Sequence, residues 1–170
     1  MATYNSSYTG EQIDAVIAAA IAQGGVLNAS EKESFTPSIP AFAGTLTGQK
    51  WRIGNLLYME IKGVASGAAS GPVVLTLPDS LQIDSTVSGA SLQDVIWGKG
   101  GLFDGGSYFD VNARYDTATT IKFWTMYAGG TAVTVNNFDA TTPSVLTSGD
   151  ILTMRLIVPI SGWDVMTAIS

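Results

Sequence analysis

The chain of 170 residues contains no cysteine and no histidine, and charged residues make up only 13% of it. Without cysteine there is no disulfide framework and no thiolate metal site, a composition compatible with synthesis in a reducing cytoplasm. Without histidine, Ser-His-Asp and Cys-His nucleophile systems are excluded, as are zinc sites built on imidazole. Carboxylate, lysine or tyrosine chemistry is all that remains to an enzyme. A glycosidase needs two carboxyl groups facing each other across a sugar, and nothing singles out such a pair among the fourteen Asp and Glu. The expectation is a protein that is not an enzyme and that needs no cofactor or metal.

Positive charge is scarce as well. Eight Lys and Arg are scattered singly, the net charge is −6, and the pI is near 4.3. Such a chain repels phosphate backbones, so no nucleic-acid partner is expected. Long apolar runs are missing too. The eight residues "AVIAAAIA" follow Asp14 with no Lys or Arg before them, and no stretch approaches the length that spans a bilayer. Neither a signal peptide nor a membrane anchor is expected. Because the charged share is about half the usual one, Ser, Thr, Asn and Gly, or another subunit, must cover much of the surface.

What is present starts with "YTGEQIDAVIAAAIAQGG", residues 8 to 25. Thr9 and Gln12 form a capping box, Gly24-Gly25 is the stop, and Ile13, Val16, Ile17, Ala20 and Ile21 share one face, which predicts a short amphipathic helix. So short a helix must bury its stripe against something. Residues 26 to 44 mix charge, proline and small residues and read as an extended linker. Alternation follows. Leu57, Met59 and Ile61 oppose Tyr58, Glu60 and Lys62; Val73, Leu75 and Leu77 form another face; Phe109, Val111, Ala113 and Tyr115 oppose Asp110, Asn112 and Arg114; Leu152, Met154, Leu156 and Val158 point inward. "GVASGAASG" reads as a hairpin connection between the first two of these strands. Seven or eight short strands with Gly, Asp and Pro turns indicate a mainly β chain, an antiparallel β-sandwich or jelly roll behind one short N-terminal α-helix. The division expected is a helix and linker over residues 1–34 and a sandwich over 35–170.

"FTPSIPAFAG" followed by "KWRIGNLLYMEIKGV", a Gly/Ser connection, "VVLTLP" and a closing "VPISGW" resembles the C-terminal β domains of tailed-bacteriophage tail fibres and receptor-binding proteins. The leading helix is similar to the short helix that precedes such domains. This resemblance implies a homotrimeric virion component, made in the host bacterial cytoplasm, that adheres to a host-surface carbohydrate such as lipopolysaccharide or capsule and is held at its N-terminus by another tail or baseplate protein. The alternatives are a purely structural virion part (head fibre, decoration protein or connector) and a carboxylate-dependent glycan hydrolase.

For the ligand, residues 96 to 110, "IWGKGGLFDGGSYFD", stand out, with five glycines around large aromatics. Read as a flexible recognition loop, they offer Trp97, Phe103 and Tyr108 as aromatic surface for the C–H face of a sugar, with Lys99 and Asp104 for its hydroxyls. Trp97 is equally suited to plugging the core, and Phe103 to a subunit boundary. Trp51 and Trp163 are expected to close the ends of the sandwich or line a threefold interface. Trp124 lies in a strand apolar on both faces, which suggests cover by a neighbouring subunit. "DVNARYD" lacks the glycine and acidic spacing of a calcium loop and reads as a surface ladder.

Overall fold

The alternation of the sequence becomes a sheet with one buried face. In β3 (Leu56–Ala65), Leu57, Met59, Ile61 and Ala65 are buried, and in β9 (Ile151–Pro159) so are Leu152, Met154, Leu156 and Val158. Their registers put Leu57 opposite Val158, Met59 opposite Leu156 and Ile61 opposite Met154, so apolar side chains meet as cross-strand pairs. The structure, a computed structural model, describes residues 14–15, 29–86, 95–129 and 132–163. The other strands are β1 (Glu33–Phe35), β2 (Gly44–Ile53), β4 (Val74–Thr76), β5 (Ile96–Asp104), β6 (Ser107–Thr117), β7 (Thr120–Gly129) and β8 (Ala132–Asn137). All nine belong to one antiparallel sheet in the order β1-β2-β3-β9-β5-β6-β7-β4, with β8 also on β7.

β4 and β8 share the far edge of β7, β4 pairing with residues 120–122 and β8 with residues 124–129. Phe123 marks the handover: its N–H donates to the Val73 carbonyl, and its carbonyl accepts from Phe138 N–H. The sheet also curls. Just past β1, Ser38 forms an antiparallel bridge to Thr76 of β4, the strand at the opposite end of the order. Ile39 and Phe42 follow it into the same core that holds Val73, Leu75, Leu102, Val111, Phe123 and Phe138. Burying each such aliphatic or aromatic side chain contributes about 1.5–3 kcal/mol, which is what holds the curl.

Several expectations need correction. The lead-in over 26 to 44 is no linker from residue 33 onward: β1 pairs with β2, and Ile39 and Phe42 are core residues. The expected boundary between 34 and 35 consequently falls inside a strand. "GVASGAASG" does not join a hairpin, because β3 pairs with β2 and β9 whereas β4 pairs with β7. The expected helix over 8 to 25 lies outside the described residues, apart from Asp14 and Ala15. The observed architecture is a mainly β, nine-stranded antiparallel sheet. Trp163 does pack against the core, with the Arg52 guanidinium 4.6 Å from its ring. Trp51 stacks on Tyr58, ring centroids 5.4 Å apart, on the sheet's outer face.

Lys50 ties the first strand down. It lies on the inner side of β2, its side chain 11% exposed, with Glu33 of β1 at 3.0 Å and Asp79 of a 3₁₀ turn (Pro78–Ser80) bonded to its ammonium. Burial alone would depress the ammonium, but hydrogen bonds to Asp79 and Glu33 outweigh it and hold the pKa above the ordinary 10.5. A raised pKa means that the stabilisation is complete below pH 10.5 and fades as pH climbs through the folded value. In thermal melts from neutral to strongly alkaline pH, the advantage of the native chain over Lys50→Met is therefore expected to be constant up to that point and to shrink beyond it. An advantage that grows with pH would contradict this.

Candidate functional site

The face of the sheet turned away from the core is where chemistry is exposed. Reading across the registers, Glu60 of β3 stands opposite Arg155 of β9, Arg155 opposite Lys99 of β5, Lys99 opposite Asn112 of β6, and Asn112 opposite Trp124 of β7. The parallel row toward the β5–β6 turn runs Lys62, Thr153, Gly101, Asp110 and Met126. Beyond it lies an apolar row of Val64, Ile151, Phe103 and Tyr108. Lys32 folds over the same face, 2.7 Å from Glu60 and 4.5 Å from the Trp51 ring. With Lys32, outward positions hold six of the chain's eight cations, the others being Lys62, Lys99, Arg114, Lys122 and Arg155. In a chain of net charge −6, this one face is positive.

A cleft of about 1050 Å³ opens across β2, β3, β9 and β5, lined by Thr47, Gln49, Glu60, Lys62, Lys99, Thr153 and Arg155 among others. A hydrogen bond from Lys32 holds the Glu60 carboxyl below its usual range, and the nearby Arg155, its Nε 3.4 Å away, adds to this. Glu60 is thus a committed carboxylate. Among the described residues Lys62 and Lys99 have no ion-pair partner.

Glycine shapes the neighbouring surface. Gly105 and Gly106 have φ of 53° and 97°, the two left-handed positions that a type I′ turn requires, and so join β5 to β6 as a tight hairpin. Tyr108, two residues past the turn, lays its ring over Gly101: a Cβ at residue 101 would sit 2.2 Å from the Tyr108 oxygen and 2.3 Å from its ring carbon Cζ. Yet Tyr108 remains 64% exposed. One ring face therefore rests on backbone and the other meets solvent, beside Asp110 and next to the cleft-lining Gly100.

The five residues expected to meet a ligand separate here. Residues 96 to 110 are not a flexible loop but the two strands and the turn of the β5–β6 hairpin. Trp97 is 6% exposed and belongs to the core, so it offers no surface to a sugar. Phe103 (50% exposed) and Tyr108 are cross-strand neighbours on the outer face. Lys99 lines the cleft. Asp104 accepts a hydrogen bond from the Ser144 hydroxyl across the fold, which gives it a structural role at the turn. Lys62, Thr153 and Arg155 escaped sequence reading as site residues. Alternation does place Lys62 on the outer face, but only the β3-β9-β5 order brings the three together.

Elsewhere on this face, Trp124 lies between two cations, with the Arg114 guanidinium 5.0 Å and the Lys122 ammonium 5.5 Å from its ring. Asp110, Asn112 and Arg114 share the face as their alternation required, and Asn112 is buried there with its amide on the Met126 sulfur. Among the described residues no group of three or more His, Cys, Asp or Glu converges to hold a metal ion. Compared with family models, with curated proteins and with solved structures, the chain matches none.

Proposed function

We propose that this protein is an adhesive virion component, the receptor-binding part of a phage tail fibre, which attaches as a homotrimer to a carbohydrate on the host surface. The observation that carries the reading is the solvent-facing Tyr108 ring, seated on Gly101 on the same sheet face as a cleft of about 1050 Å³ lined by both polar and apolar residues. A pyranose presents C–H groups on one face and hydroxyls around its rim. A supported aromatic plane on the same face as Thr, Gln, Asp and Lys side chains fits that chemistry, and no step of turnover is needed. In this reading the curled sheet is a jelly-roll-like sandwich, and the N-terminal helix serves trimerisation or attachment to a neighbouring tail protein. The half-exposed Met126 and Val135 beside Trp124 suit contact with another subunit. Three weak sites on one particle raise avidity by about 10²–10⁴.

Light scattering is expected to give a mass near three times 17.7 kDa; a monomer at micromolar concentration would remove the trimer. The site is tested with Gly101→Ala, which keeps Tyr108 but occupies the place of its ring. Adherence to host cells should fall with Gly101→Ala as it does with Tyr108→Ala, while the melting temperature of both stays near the native value. Full adherence by Gly101→Ala would show that the ring's seat is irrelevant.

A further inference from the structure

We infer that the glycan bound on this face is acidic, and that its carboxylate or phosphate group is held between Lys62, Lys99 and Arg155. The inference rests on the adhesion reading and names the chemical class that the same face selects. Lys99 and Arg155 are directly opposed on an antiparallel pair, a placement in which like charges repel. Arg155 also stands opposite Glu60, but that carboxylate is already bonded to Lys32 at 2.7 Å and lies 3.4 Å from Arg155 Nε. Lys62, two residues along β3 from Glu60, borders the same cleft. Three cations therefore face one cleft with a single, shared carboxylate between them, in a chain whose net charge is −6.

Cations so grouped repel one another until an anion enters, and an anion bridging them makes charge-assisted hydrogen bonds that a neutral hydroxyl cannot match. The uncharged part of the lining is mixed: Thr47, Gln49 and Thr153 can accept from and donate to sugar hydroxyls, while Phe35, Leu46 and Met154 add apolar surface. A bare phosphate or carboxylate would use the cations alone. A sugar that bears one uses the whole lining.

The test measures binding of the full chain to immobilised polygalacturonate, phosphomannan and dextran, which present a carboxylate, a phosphate diester and no charge. Binding to one or both acidic polymers, and none to dextran, is expected. The acidic polymer that binds identifies the source of the anion. Lys99→Ala combined with Arg155→Ala should weaken that binding about tenfold or more, and raising NaCl from about 50 to about 500 mM should weaken it further. Lys122→Ala, on the same face but outside the cleft, should leave it unchanged. Equal binding to dextran, no binding to either acidic polymer, or an equal loss in Lys122→Ala would overturn the inference. The adhesion reading fails separately. A chain that binds polygalacturonate through Lys99 and Arg155 yet never adheres to bacteria sinks host attachment and leaves the acidic site standing. Adherence indifferent to the double substitution does the reverse.

Discussion

Trp97→Ala is expected to destabilise the protein by about 3–5 kcal/mol, the usual cost of truncating a large aromatic in a core, whereas Tyr108→Ala is expected to change stability by less than about 1 kcal/mol. The two residues lie in one hairpin and are both aromatic, yet they point to opposite sides of the sheet. Trp97 is 6% exposed among core residues, and Tyr108 is 64% exposed. The core cannot close over the volume that Trp97 leaves, because Leu156, Met154 and the other inward side chains are fixed by strand pairing on both sides. Trp97→Phe keeps most of that volume and should cost under about 1.5 kcal/mol. Urea unfolding of the three variants decides the matter, and the prediction is wrong if Trp97→Ala and Tyr108→Ala shift the midpoint equally. Binding supplies the complementary readout. Loss of adherence in Tyr108→Ala at native stability assigns that ring to the ligand; loss in Trp97→Ala follows from unfolding.

Why the sequence separated these two residues so poorly is instructive. Where alternation was clean, the inward set could be read directly: Leu57, Met59 and Ile61, then Phe109, Val111 and Ala113, then Leu152, Met154, Leu156 and Val158 all face as their period requires. β5 has no such period. Its inward positions include Gly98 and Gly100, its outward ones Lys99 and Gly101, and a register shift between residues 96 and 98 breaks the count. Glycine in a strand marks close approach of a neighbour as readily as it marks a loop, and only the neighbour decides. Pairing order is a second thing that local pattern does not encode. β3 and β4 are joined by a short Gly-rich connection, as hairpin strands are, but β9, from the far end of the chain, takes the place beside β3. The cleft inherits that ignorance, since Lys62, Lys99 and Arg155 come from three strands whose adjacency is non-local. The face of each residue was legible, but their convergence was not.

The same glycines yield the second large effect. Gly100→Ala is expected to cost at least the upper end of the range of about 1–3 kcal/mol seen for overpacked cores. A Cβ at residue 100 would fall 1.8 Å from the Thr153 carbonyl oxygen, 2.6 Å from the Met154 sulfur and 2.8 Å from the Met154 Cα. The sulfur can swing away, but the carbonyl and Cα cannot. They belong to β9, which is paired with β3 on its other side, so they move only if the sheet parts between β5 and β9. That seam lies at the middle of the strand order. Opening it would strip cover from Leu102 and Leu152, both fully buried, and spread the cations of the cleft. Gly67→Ala is the control: no atom lies within 4 Å of the added carbon, so stability should hold or rise by up to about 1 kcal/mol through the stiffer unfolded chain. Chemical denaturation of both variants supplies the comparison, together with acidic-polymer binding for Gly100→Ala. A Gly100→Ala protein as stable as Gly67→Ala would mean that β5 does not approach β9 this closely, and the juxtaposition of Lys99 with Arg155 would go with it.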